Sequence, residues 1–262
     1  MTSNPVNGTA DGTPRWNKVW VIGASTGIGR ETALKLMPMC AELFVSARSE
    51  DKLAEVAAIG ATVTSLPLDV TNASEVNEAA ARISSGGEPV DLVVISSGLW
   101  RKVNLPDIDP ADFRAAMDVN FNGVIEVLAA VLPAMAKRGS GHVAIIASVS
   151  GYRGLPGASA YAPTKAALIN LAECIKPQLD GLGITVSIIN PGFVDTPMTS
   201  VNKFPMPFLM EPEEAASIIV SGLDRKAYEV AFPRKMAWSL KLARMLPNAV
   251  FFWLVKKMVM RG

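Results

Sequence analysis

The sequence predicts an α/β fold: a doubly wound parallel sheet of about seven strands, with helices on both faces, in a single domain. Three observations predict it. Short apolar runs alternate along the chain with stretches of helical period, the pattern of successive βαβ units. A glycine-rich turn follows the first run directly. Hydrophobic residues make up 50% of the chain and charged residues 19%, which supplies a sizeable core and argues against disorder.

Taken in order, "VWVIG" (19–23) precedes the helical "IGRETALKLM", and "AELFVSA" (41–47) precedes "EDKLAEVAAI". The run "ATVTSLPLD" (61–69) leads into "NASEVNEAAARI", and "DLVVIS" (91–96) follows. A long helical stretch at about 110–138 comes before "GHVAIIAS" (141–148). The helical "AALINLAECIKPQL" then precedes "ITVSIIN" (184–190). Strands this apolar are buried on both faces, and right-handed crossovers give the doubly wound arrangement. Ligands of such sheets bind beyond the carboxyl ends of the strands.

At 262 residues the chain suits one large domain or two small ones. A formal charge of +1 offers no general attraction for nucleic acid. Cys40 and Cys174 stand far apart, which points to a reducing compartment and neither a disulfide framework nor a zinc site. One histidine, His142, cannot build a metal site, so no metal is expected. Residues 1–16 read as a polar, flexible tail without the apolar core of a signal peptide, so the sequon at Asn7 carries no meaning. No run reaches the length of a transmembrane helix; between Arg244 and Lys256 there are 11 uncharged residues. A soluble, cytoplasmic protein is expected, with one doubly wound domain over 17–233 and a distinct segment at 234–262.

The informative residues fall just after the strands. In "VIGASTGIGR", Gly23 allows a tight turn, Gly27 lets a phosphate approach the backbone, and Gly29 permits close helix–sheet packing. The following helix N-terminus offers N–H groups to a pyrophosphate. This Rossmann-type signal has the spacing GxxxGxG. The second strand ends in "VSARSE", where an acid would hold the ribose hydroxyl of NAD; here Ala47 and Arg48 stand there. An arginine meets a 2′-phosphate, with Ser25 helping, so NADP is favoured over NAD; the alternative is a solvated loop charge. Asp69 closes the third strand, either within reach of an adenine amino group or as a cap for the next helix.

Together "GASTGIG", "LDV", "MDVNFNG", "IIASVSG", "YAPTK" and "NPGFVDTP" resemble the short-chain dehydrogenase/reductase family, from about residue 17 to 200. The resemblance implies an oxidoreductase that transfers hydride between nicotinamide and a carbonyl or alcohol carbon. It implies that Tyr161 is the general acid, that Lys165 supports its ionisation and binds the nicotinamide ribose, and that Ser148 orients the substrate oxygen. Asn120 would hold a water linking Lys165 to solvent. Cofactor contacts would come from Gly23, Ser25, Thr26, Gly27, Ile28 and Gly29, from Arg48, Asp69 and Val70, and from Ser97 and Gly98. Tyr161, Lys165, Pro191, Gly192, Val194 and Thr196 would complete them. Pro163 is tolerable between Tyr161 and Lys165 because it falls in the first helical turn. A homodimer or homotetramer through the helices holding Asn120 and Tyr161 is also implied.

Where the family has Asn-Asn-Ala-Gly, this chain reads "ISSG" (95–98), so Ile95 and Ser96 replace two asparagines beside the cofactor. Trp100 and Arg101 follow at the pocket mouth, as substrate contacts or as packing. His142 reads as structural. The segment 234–262 carries seven Lys/Arg and no acid, with Trp238, Leu242, Met245 and Leu246 at helical spacing. A basic, aromatic amphipathic helix suits an anionic membrane surface; the alternative is a helix covering the pocket or an oligomer interface. With the apolar "KFPMPFLM" (203–210), either reading suggests a hydrophobic ketone or alcohol as substrate. The rival function is a cofactor-binding scaffold with little turnover, whose mark would be loss of Ser148, Tyr161 or Lys165; all three are present.

Overall fold

The computed structural model describes residues 13–103, 105–201 and 205–258. Asn7, Lys203, Phe204 and positions 259–262 therefore lie outside the described residues. The first half runs β1 (Trp16–Ile22), α1 (Gly27–Leu36), β2 (Cys40–Ser46), α2 (Glu50–Ala57), β3 (Val63–Ser65), α3 (Ala73–Ile83) and β4 (Leu92–Ile95). Then come α4 (Pro110–Met117), a π-helical turn (Asp118–Asn122), α5 (Gly123–Arg138), β5 (Gly141–Ile146) and α6 (Ala162–Gly181). The chain continues through β6 (Ile184–Pro191), α7 (Pro212–Asp224), β7 (Glu229–Phe232), α8 (Arg234–Met245) and α9 (Asn248–Met258).

All seven strands are parallel, in the order β3-β2-β1-β4-β5-β6-β7. The order reverses between β1 and β4, so the crevice at their carboxyl ends is where a ligand fits. Alternate residues of each strand feed opposite faces. Trp20 and Ile22 of β1 join Ile95, Ile145 and Ile188 in a core sealed by α3, α5 and α6. Val19 and Val21 join Val45, Val94 and Ile189 in a second core sealed by α1, α2 and α7. Burying one such aliphatic side chain contributes about 1.5–3 kcal/mol, which secures the register of the sheet.

Several element boundaries differ from the sequence expectation. β1 begins at Trp16, paired with Cys40, so the chain before residue 17 already contributes a strand residue. β3 stops at Ser65; Leu66 and Leu68 still donate to Val45 O and Ala47 O, but Pro67 between them has no N–H to donate. The helical stretch 110–138 is two helices joined by the π turn, whose buried residue is Asn120. That same stretch corrects the expectation that nothing reaches membrane-spanning length. Pro110–Arg138 covers 29 residues with a mean hydropathy of 1.6 over its most apolar window. Counting uncharged runs misses it, because mean hydropathy tolerates interspersed charge. Its Val124, Val127, Leu128, Val131 and Met135 are spent on the sheet.

Candidate active site

The six loops at the carboxyl ends of β1 to β6 open on one cleft of about 1020 Å³. At its centre, β1 turns sharply into α1. Gly23 adopts φ +82°, and a Cβ on it would lie 2.7 Å from the backbone of Ser96 and Ser97. Gly29 sits against Gly23 O, leaving no space for a side chain. Thr26 opens α1 without a side-chain cap, and the first turn carries no acid. The leading N–H groups and the positive end of the helix are thus left for an anion. Ser97 Oγ, beside them in the cleft, is buried with no partner among the described residues. These features fit a dinucleotide, whose pyrophosphate would lie at the start of α1.

At one end of the cleft, Arg48 follows β2 with its side chain 75% exposed and Nη1 4.0 Å from Asp69 Oδ2. Asp69 does not cap α3. Its Oδ1 accepts from Thr71 N–H and Thr71 Oγ1, while Asn72 caps the helix through Ser74 N–H. At the other end, Ser148 follows β5 in extended backbone and caps a short turn, Val149–Gly151, by accepting from Ser150 N–H at 3.1 Å. Its hydroxyl donates to Pro191 O at 3.3 Å, which ties the β5 and β6 loops together.

Tyr161 immediately precedes α6, so Lys165 lies one turn above it and Pro163 sits where no intrahelical N–H is needed. Lys165 is buried, and its Nζ donates to Ile146 O at 2.9 Å while lying 5.5 Å from the Tyr161 ring centroid. Burial pushes the Tyr161 phenol up to about 12, partly offset by its hydrogen bond with Ser148. Burial lowers the Lys165 ammonium to about 7. The cleft therefore holds a protonated phenol at neutral pH, beside an amine whose burial brings its proton loss down toward that range.

All seventeen residues expected to contact a cofactor line this cleft, as does Ser148; Asn120 does not. Asn120 is fully buried behind the wall. Its Oδ1 accepts from Leu99 N–H at 2.6 Å, and its Nδ2 donates to Leu99 O and Thr164 Oγ1, both at 3.0 Å. Thr164 in turn donates to Tyr161 O at 2.7 Å. Asn120 thus braces the β4 loop against the start of α6, and its Oδ1 keeps one further lone pair. A Cβ on Gly98 would lie 3.7 Å from that oxygen and 4.0 Å from Lys165 Nζ, so the two groups border the same space.

Of the two substituted asparagines, Ile95 is core, whereas Ser96 lines the cleft. Trp100 meets the Tyr161 ring edge-on at 5.2 Å, a packing contact against the site tyrosine, while Leu99 and Arg101 on either side of it line the cleft. His142 is structural, its Nε2 lying 2.8 Å from Ser187 Oγ. One polar cluster outside the cleft lining carried no sequence signal. Glu229 Oε1 accepts from Tyr152 Oη at 2.5 Å and Asn190 Nδ2 at 3.1 Å, and Oε2 pairs with Lys241. Burial raises the Glu229 pKa, but the hydrogen bonds from Lys241 and Tyr152 outweigh it and hold the carboxyl below its usual range. This hub joins the Ser148 turn, the residue before Pro191, and α8, with Tyr152 and Glu229 77 residues apart in sequence.

Residues 17–204 match the short chain dehydrogenase family. The chain belongs to that family. An uncharacterized oxidoreductase of Myxococcus xanthus is 37% identical over 235 residues, 88% of this chain and 93% of the relative. Dehydrogenase/reductase SDR family member 7B of Danio rerio is 36% identical over 194 residues, 70% of this chain and 63% of the relative. Among solved structures, a short-chain dehydrogenase of Streptomyces avermitilis aligns with a TM-score of 0.79 at 25% identity, covering 95% of this chain and 99% of the other. One of Burkholderia cenocepacia, in complex with NADP, has the same fold with a TM-score of 0.80 at 24% identity, covering 93% and 99%. This short chain dehydrogenase is an oxidoreductase built on the seven-stranded sheet of its family.

Proposed function

We propose that the protein is an NADPH-dependent reductase of a hydrophobic ketone, able to run in reverse as an alcohol dehydrogenase. The observation that carries this reading is the convergence of Ser148, Tyr161 and Lys165 on the cleft that also receives the uncapped start of α1. When bound, the cofactor supplies or accepts the hydride. The side chains do the rest. Ser148 holds the substrate oxygen, and the protonated Tyr161 donates its proton to that oxygen as negative charge develops there. Lys165, in its charged form, stabilises the tyrosinate left behind. The spare lone pair on Asn120 Oδ1 suits a water that returns the proton by way of Lys165.

Arg48 supports NADPH over NADH, because it is a highly exposed cation where an acid would select the ribose hydroxyl. A hydrophobic substrate is supported by Trp100 on the Tyr161 ring and by Met198 on the cleft wall. The segment 195–209 between the paired residues Val194 and Met210 adds exposed Phe208 and Leu209. Cys40 and Cys174 are both free thiols, in keeping with a reducing, cytoplasmic setting. Assembly as a homodimer or homotetramer through α5 and α6 belongs to the same reading.

Titration with NADPH and with NADH, read by tryptophan fluorescence, tests the cofactor assignment. NADPH should bind more tightly, and Arg48→Ala should weaken NADPH roughly tenfold or more while leaving NADH little changed. Equal affinity for the two cofactors, unaltered by the substitution, would reduce Arg48 to a loop charge.

A further inference from the structure

We propose that the outer face of α8 and α9 docks on an anionic lipid bilayer surface. The inner face of these helices is already occupied. Ala237 packs into the core with Met236 and Leu240 beside it, Lys241 turns in to Glu229, and Phe251 is buried under the Arg153 guanidinium at 4.3 Å. A second apolar stripe points away from the body. On α8 it is Trp238, Leu242 and Met245, at i, i+4 and i+7, which are 62%, 60% and 81% exposed. On α9 it is Val250 and Trp253, with Phe252 alongside, and Lys257 lies 5.2 Å from the Trp253 ring.

The charge around this stripe is one-sided. Arg234, Lys235, Arg244, Lys256 and Lys257 are exposed, and none forms an ion pair among the described residues. Residues 234–262 contain no acid, although the whole chain carries only +1. A second copy of the chain is a poor occupant, because a two-fold contact would set these cations against themselves. A bilayer with anionic headgroups complements every part of the face. Its phosphates meet the cations, tryptophan settles at headgroup depth, and Leu242, Met245 and Phe252 reach the acyl boundary. Helices of 12 and 11 residues are too short to span, so they lie in the interface.

The test is co-sedimentation of the full chain with phosphatidylcholine vesicles, with and without a one-quarter share of phosphatidylglycerol. It reads binding and not turnover, so it is independent of the proposed reaction. Binding is expected only with phosphatidylglycerol, weakening as salt rises, with a blue shift of tryptophan emission. The exposed double substitution Lys256→Gln/Lys257→Gln should lower partitioning roughly tenfold or more, and Trp238→Ser/Met245→Ser should abolish the part of the blue shift due to Trp238. Absence of binding, equal binding to pure phosphatidylcholine, or indifference to both double substitutions would overturn the proposal. So would conversion of an oligomer to monomers by Trp238→Ser/Met245→Ser without vesicle binding by the parent, which would make the face a contact between copies.

Discussion

The behaviour of Tyr161 turns on which proton form its phenol holds. Held near 12 by burial, it stays protonated across the physiological range, the form that the proposed reduction needs in a proton donor. Lys165, lowered to about 7, is the group that titrates. In the proposed reaction its charged form would stabilise the product tyrosinate, so the ketone-reduction rate at saturating substrates should fall as pH rises through the neutral region. Alcohol oxidation, which needs the phenol to lose its proton, should rise on the alkaline side. A reduction rate that climbs with pH would contradict this. His142 gives a separate pH effect, on stability. Ser187 Oγ donates to Ala227 O at 2.6 Å, so His142 Nε2 must be the donor to Ser187, and Nδ1 is a buried atom with no partner among the described residues. A proton on Nδ1 would be buried unpaired; burial, then the Lys226 charge, lowers the pKa from 6.5 to about 4. Because the folded value lies below the unfolded one, the contribution is complete above about 6.5 and is lost as pH falls toward about 4, a total of about 3 kcal/mol. Urea unfolding at neutral and at mildly acid pH should show this loss, and His142→Gln should reduce it.

Among the elements, the junction of β1 with α1 is the least tolerant of change. A methyl group at Gly29 would collide with Gly23 O, which is backbone and has nowhere to retreat. Gly29→Ala should therefore cost about 1–3 kcal/mol, seen as a lower melting temperature, and should weaken cofactor binding along with it. The elements that were legible in the sequence are those whose signal is local. β1, β2, β4, β5 and β6 announce themselves as apolar runs, and the Gly23 turn and the Tyr161–Lys165 spacing sit within single short stretches. β7 was not located, because Glu229–Phe232 is only four residues long and alternates buried with half-buried positions. The π turn was invisible for another reason. Asn120 is held by Leu99 and Thr164, which stand 21 and 44 residues away, and neither partner can be read from the sequence around it. The same holds for Trp100 on Tyr161 and for the Glu229 hub, whose existence depends on strand order.

On the scale of the whole molecule, the sheet order gathers six loops into one cleft and leaves the C-terminal helices at its flank. The glycine turn lies at the centre of the cleft, with Arg48 and Asp69 toward β2 and β3 and Ser148, Tyr161 and Lys165 toward β5 and β6. Lys241 ties α8 to Glu229, and Arg153 donates to Asn248 Oδ1 at 2.7 Å, so the docking face proposed for α8 and α9 is fastened to the loop that follows Ser148. The central claim is that this cleft reduces a ketone with Tyr161 as proton donor. Its most direct test compares the parent protein with Tyr161→Phe, measuring NADPH binding by fluorescence and NADPH consumption with a hydrophobic ketone. The account predicts unchanged binding and a fall in turnover of about 10²–10⁴-fold. Turnover that survives the substitution, or a parent protein that binds no nicotinamide cofactor, would contradict it.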